Sequence, residues 1–168
     1  MFQKIGSLGR FGGPVLVDRV ITNSAVIAIG DSVKTASGFA ALGTAGARVL
    51  GHVVAVVGQD GLNPVDDGSF NGNLGTAFTA ASDNQTVAQV KAVVDVAQDA
   101  LYVAELDAAA GTTTGSDLAG YNMDLADEDT LDESTAAETT AQYYSHGLDR
   151  VQTDKAVVNI LESEVFGF

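Results

Sequence analysis

This chain is predicted to be mainly β, a small β-barrel or sandwich with an extended N-terminal arm and long loops. Two observations carry the prediction. Short apolar runs rich in Val, Ile and Ala recur along the chain, and clusters of Gly, Asn, Asp, Ser and Thr separate them. Branched side chains lose rotamer freedom in a helix and pack well on a pleated sheet, so such runs read as strands. The second is the 19 Gly among 168 residues, which suits frequent turns and bulges. The length suits one domain, and a globule of this size buries about two-thirds of its unfolded surface.

Residues 1–13 (MFQKIGSLGRFGG) are Gly-rich, slightly basic and carry isolated aromatics. They show neither helical nor strand periodicity and are expected to form a flexible or extended arm that orders against something else. Residues 14–168 are then a single β-rich domain. Within it Pro14 to Ile21 reads as a strand that ends at Thr22-Asn23-Ser24, and Ala25 to Ile29 as another, with Gly30-Asp31 as a turn. Arg48 to Val57 (RVLGHVVAVV) suits a strand buried on both faces, with Gly51 marking a bulge or a close backbone approach. Residues 58–76 hold four turn-forming pairs and read as a long loop.

Thr86 to Leu106 fits a helical face as well as strand alternation, but its Val content favours strands, and a hairpin turning at Gln98-Asp99 is expected. Ala108 to Gly120 reads as a loop, Tyr121 to Leu125 as a short strand, and Asp127 to Thr140 as an acidic loop. Ala141 to Leu148 and Ala156 to Phe166 close the fold around a turn at Arg150 to Asp154. In the last strand Val157, Ile160 and Val165 are expected to face inward in part, with a break near Asn159.

The chain has no Cys, which excludes disulfides, thiolate nucleophiles and Cys-based metal sites. No apolar run reaches the roughly 18 residues of a membrane helix, and the expectation is a soluble protein with no membrane partner. Net charge is −14, which disfavours nucleic acid. The charge is uneven: residues 1–48 hold five basic side chains against two acids, whereas residues 92–149 hold thirteen acids and no Lys or Arg.

A nucleophilic site needs an activated nucleophile and an oriented base. Only His52 and His146 could supply an imidazole, and neither lies in a Gly-x-Ser-x-Gly pattern. His52 sits in an apolar run and is expected to be a packed, hydrogen-bonded core residue. The Gly6, Gly9, Gly12, Gly13 series matches no phosphate-binding fingerprint. No catalytic residue, cofactor site or enzyme is expected. Six acids fall within residues 124–133, and Ca²⁺ takes roughly six to eight oxygen ligands. Asp124, Asp127, Asp129 and Asp132 are therefore the candidate metal ligands, although the segment lacks EF-hand spacing and a solvated acidic loop is the plainer reading. Asn84-Gln85-Thr86 is a formal glycosylation sequon.

Ala47 to Pro64 (ARVLGHVVAVVGQDGLNP) resembles a segment of small structural proteins of tailed double-stranded DNA viruses, in which an apolar strand precedes a polar turn and a variable loop. Val93 to Asp107 resembles their Val-Asp and Tyr-x-Ala strand pair. Leu118 to Leu125 and Leu131 to Ala136 resemble the loop before their last hairpin, and Gln142 to Asp149 with Val157 to Glu162 their closing strands. The resemblance implies a capsid decoration, or cement, protein on the outside of an HK97-like shell. Its partners would be the major capsid protein and further copies of itself, as a homotrimer. A mildly basic front would face the shell, with Phe2, Lys4, Arg10, Phe11 and Arg19 as candidate partner-binding residues, and deletion of residues 1–13 is expected to weaken binding and spare the fold. A tail-tube or head–tail connector subunit, and a cation- or carbohydrate-binding surface module, are the alternatives.

Overall fold

The structure, a computed structural model, describes residues 1–8, 14–59, 73, 75–97, 99–108, 118–136, 141–152 and 154–161. Thirteen strands run through them. They are β1 (Phe2–Ser7), β2 (Leu16–Val20), β3 (Val26–Ala28), β4 (Ser32–Ala36), β5 (Phe39–Leu42), β6 (Gly51–Val57), β7 (Ala77–Thr79), β8 (Lys91–Asp95), β9 (Ala100–Leu106), β10 (Asn122–Leu125), β11 (Thr130–Ala136), β12 (Tyr143–Leu148) and β13 (Lys155–Ile160). The β fold class expected from the residue pattern is the one observed.

The strands form two units. In one, β9, β11, β10, β12 and β13 are neighbours in that order, and a further pairing of β13 with β9 closes them into a barrel. β1 pairs with residues 100–104 of β9, on the edge whose far end (Glu105 and Leu106) β11 takes, with Phe2 opposite Ala104 and Lys4 opposite Tyr102. In the other, β2, β8, β6, β4 and β5 form a sheet that curls until its two edges meet, through a bridge from Ile21 to Ala40. The short ribbon of β3 and β7 supplies Ile27 and Phe78 to the interior of this second unit. Each unit has its own apolar core. The closed barrel packs Tyr102, Leu118, Met123, Leu125, Leu131 and Ile160. The curled sheet packs Ile21, Val33, Leu50, Val53, Val56 and Val94. In chain order β1 belongs to the barrel, β2 to β8 to the inserted unit, and β9 onward to the barrel again.

Several expectations are corrected here. Residues 2–7 are not an arm: β1 is a paired strand whose Phe2 is buried, because the β9 edge and an aromatic pocket are available inside the same chain. Residues 9–13 lie outside the described residues. β8 and β9 are strands, as expected, but not a hairpin. β8 pairs with β2 and β6, and β9 with β1 and β13, so the segment between them crosses from one unit to the other. Part of the expected acidic loop is strand β11, which lies antiparallel to β10 and meets β9 in parallel. In β13 the inward side chains are Ala156, Val158 and Ile160, with Val157 half-buried, and the register break falls on β12 between Ser145 and Gly147. Val165 lies outside the described residues. The β4–β5 hairpin went unread, although Ser37-Gly38 is a good signal for it. Both residues have positive φ (51° and 89°), as a tight two-residue hairpin turn requires.

Gly51 is the close approach that its place in an apolar run implied. A Cβ there would lie 2.1 Å from the Asp95 carbonyl oxygen and 2.8 Å from Val94 Cγ1. Gly51→Ala is therefore expected to cost about 3 kcal/mol or more, since both obstacles are fixed by the β6–β8 ladder. Chemical denaturation of the variant measures this. Deletion of residues 1–8 is expected to destabilise the fold strongly rather than spare it. It removes the buried Phe2 ring, worth about 3–5 kcal/mol, from a fold whose whole stability is of the order of 5–15 kcal/mol. Circular dichroism melting of the truncated chain reads the outcome.

Candidate functional site

The two units meet along a row of buried polar residues. Ser32 of β4 is the cross-strand partner of His52 of β6, and His52 is the partner of Asp95 of β8. Directly paired residues project to the same face of a sheet, so the three line up side by side. Their relative exposures are 0%, 1% and 0%. Each finds its partner on the closed barrel. Ser32 Oγ lies 2.8 Å from Tyr143 Oη, and His52 Nε2 lies 3.0 Å from the same hydroxyl. The Lys4 ammonium donates to Asp95 Oδ2 at 2.6 Å. Asp95 Oδ1 accepts from the backbone N–H of Val15 (3.2 Å) and of Ala97 (3.1 Å), which fixes the start of the crossover.

Aromatic rings fill the space around the row. The Phe2 ring lies 4.3 Å from His52 and 5.0 Å from Tyr143, centroid to centroid, and Tyr102 lies 4.1 Å from His52. Burial among them pushes the His52 imidazole down to about 3, so it is neutral at pH 7. Burial likewise raises both the Tyr102 and the Tyr143 phenols far above their ordinary value. His52 Nδ1 and the Tyr102 hydroxyl have no hydrogen-bond partner among the described residues. The chain Ser32, Tyr143, His52 joins a hydroxyl to an imidazole, as a nucleophilic site would, but all three are sealed from solvent and no substrate atom can reach them in this structure.

Backbone bonds complete the seam. Phe2 N–H donates to the Gly30 carbonyl (3.1 Å) and Ser32 N–H to that of Glu128 (2.8 Å). Gln142 Nε2 donates to the carbonyls of Thr44 and Ala47, and Gly46 N–H donates to the Asp124 carboxylate (3.0 Å).

The expected partner-binding residues therefore divide. Phe2 and Lys4 are internal, since each satisfies a group inside the fold. Arg10 and Phe11 lie outside the described residues. Arg19 on β2 is half-exposed, and its Nη1 donates to the carbonyl of Asp18. Four apolar side chains on β1, on β2 and beside them are exposed: Ile5, Leu8, Val15 and Leu16, each by two-fifths or more. Val15 and Leu16 flank Asp95 and Val96, and Leu8 N–H donates to the Asp99 carbonyl, so Leu8, Val15 and Leu16 lie about the crossover from β8 to β9. Sequence reading missed Ile5 and Leu8 because it took residues 1–13 for a flexible or extended arm, while Val15 and Leu16 fell in the strand expected from Pro14 to Ile21.

The candidate metal ligands do not converge. Asp124 is held by Gly46 N–H and Leu125 N–H. Asp127 accepts from Asp129 N–H, Thr130 N–H and Thr130 Oγ1, which caps a turn. Asp129 lies 3.9 Å from the Met1 amine, and Asp132 sits opposite Asp124 in the β10–β11 ladder. Among the described residues no group of three or more His, Cys, Asp or Glu could hold a metal. The sequon Asn84 is a structural residue: its amide donates to the Ile21 and Val90 carbonyls and accepts from Val90 N–H, fully buried. His146 is exposed and lies 2.8 Å from Asn159 Oδ1. No described helix is long and apolar enough to cross a membrane. Set against known protein families, curated proteins and solved structures, the chain shows no match.

Asp95→Ala strips two N–H groups of their acceptor and leaves Lys4 without its counter-ion, and should cost about 3–5 kcal/mol. Asp95→Asn keeps an acceptor for Val15 and Ala97 and should cost about half as much, because Lys4 retains access to water. Urea midpoints of the two variants test the difference, and equal losses would remove the acceptor role.

Proposed function

We propose that this chain is a structural virion protein that decorates the outside of an HK97-like capsid shell, seating the surface of Ile5, Leu8, Val15 and Leu16 on the major capsid protein. The observation that carries the reading is that exposed apolar surface, held on a rigid base. Its strands are tied by Asp95 to the joint between the two units, so the surface is preorganised and loses little entropy on docking. Exposed apolar side chains gathered at one place on a strongly acidic protein suit contact with another protein. The resemblance of the strand and loop order to decoration proteins supports the choice of partner. The acidic stretch from residue 92 to 149 keeps copies displayed at high density apart and soluble. The same resemblance makes a homotrimer the oligomer to test first.

The test uses expanded, undecorated shells assembled from the major capsid protein of the same virus. The intact protein should cosediment with them, saturate at a fixed ratio and raise the shell's melting temperature. The double substitution Leu8→Asp and Leu16→Asp should lower occupancy at least about tenfold through lost apolar burial and leave the protein's own melting temperature nearly unchanged. Absence of saturable binding would contradict the reading, and a ring-sized assembly in light scattering would favour a tail-tube or connector subunit.

A further inference from the structure

We propose that one buried water molecule is bound at the joint between the two units, where it bridges His52 Nδ1 and the Tyr102 hydroxyl.

Four polar side chains close a ring there. His52 and Asp95 are directly paired on β6 and β8, and Lys4 and Tyr102 on β1 and β9, so each pair projects to one face of its sheet. The Lys4 ammonium joins the pairs on one side by donating to Asp95 Oδ2 at 2.6 Å. On the other side the His52 and Tyr102 rings lie 4.1 Å apart, centroid to centroid. Two members of the ring keep an unused polar atom. His52 Nδ1 and Tyr102 Oη have no hydrogen-bond partner among the described residues, and each residue is only 1% exposed. Folded proteins rarely leave such atoms unpaired, because nothing then offsets their desolvation.

The chemistry around these two atoms selects the ligand. His52 Nε2 already faces the Tyr143 hydroxyl at 3.0 Å. A neutral imidazole carries one proton on its two nitrogens. Nδ1 is therefore an acceptor when Nε2 donates to Tyr143, and a donor when Nε2 accepts. The Tyr102 hydroxyl needs an acceptor for its own proton. A neutral molecule that both donates and accepts satisfies the two atoms with either placement of the imidazole proton. An anion would be opposed by the Asp95 carboxylate. A cation would be opposed by the Lys4 ammonium, and both Asp95 oxygens are already engaged by Lys4, Val15 and Ala97. An apolar guest would leave both atoms unpaired. The rings of Phe2 and Tyr143 also pack against His52, so the ligand must be small. Water meets every one of these conditions.

The Lys4 side chain is 31% exposed, so the ring borders solvent on that side and water has a way in. With the bridge in place, hydrogen bonds run without a break from Ser32 on β4 through Tyr143 on β12 and His52 on β6 to Tyr102 on β9. Two strands of each unit then share one polar chain, and the joint is held by a water as well as by side chains.

A high-resolution crystal structure of the intact chain is the first test. It should show one ordered oxygen within about 3.2 Å of both His52 Nδ1 and Tyr102 Oη. A direct bond between the two side chains, or no ordered oxygen between them, would overturn the proposal. Stability gives a second test, because the sign of the effect depends on the bridge. A bridged hydroxyl supports the fold, so Tyr102→Phe should lower the folding equilibrium constant about fivefold in urea denaturation. An unpaired hydroxyl burdens the fold, so its removal would leave that constant unchanged or raise it, and either result would count against the water. The crystal structure needs no variant, so it decides the matter if Tyr102→Phe does not fold.

Discussion

The fold depends on one alignment, the row Ser32, His52 and Asp95 across three neighbouring strands of the inserted unit. Buried polar side chains are tolerated only when their hydrogen-bonding groups find partners. For these three the partners are Tyr143 and Lys4, which belong to the other unit. Neither unit satisfies the row alone. Their mutual docking is thus specified by polar pairing, while apolar contact from Phe2 and Tyr102 closes the space around it.

The chain path reinforces this constraint. Because β9 to β13 close the barrel and β2 to β8 lie between β1 and it in the chain, β1 reaches β9 only by passing the inserted unit. β1 then performs two tasks with two residues. Phe2 fills the pocket beside His52, and Lys4 neutralises Asp95. Ile5 and Leu8 face water, as do Val15 and Leu16.

Local features were legible in the residues. Strand existence followed from Val and Ile runs, the close approach at Gly51 from a glycine inside such a run, and the pairing of β12 with β13 from a polar turn between two alternating segments. Burial of His52 followed from its apolar neighbours. What could not be read was which strands meet. Val93 to Ala104 has the pattern of a hairpin, and only the partners of Asp95 on both sides of the crossover send its two strands to different units. The polar row joins positions 20 and 43 residues apart, with no periodicity to reveal it. The first residues looked like an arm because Gly6 and Gly9 interrupt the strand pattern, although Phe2 and Lys4 have specific partners far along the chain. The acids of residues 124–133 read as a cluster, but the Asp124 carboxylate is spent on the N–H groups of Gly46 and Leu125 and that of Asp127 on a turn.

Scanning calorimetry of the intact chain tests most directly whether the row makes two cores into one cooperative unit. Coupling through Ser32, His52 and Asp95 predicts a single transition, with the calorimetric enthalpy equal to the van 't Hoff enthalpy. Two resolved transitions, one for each core, would contradict it.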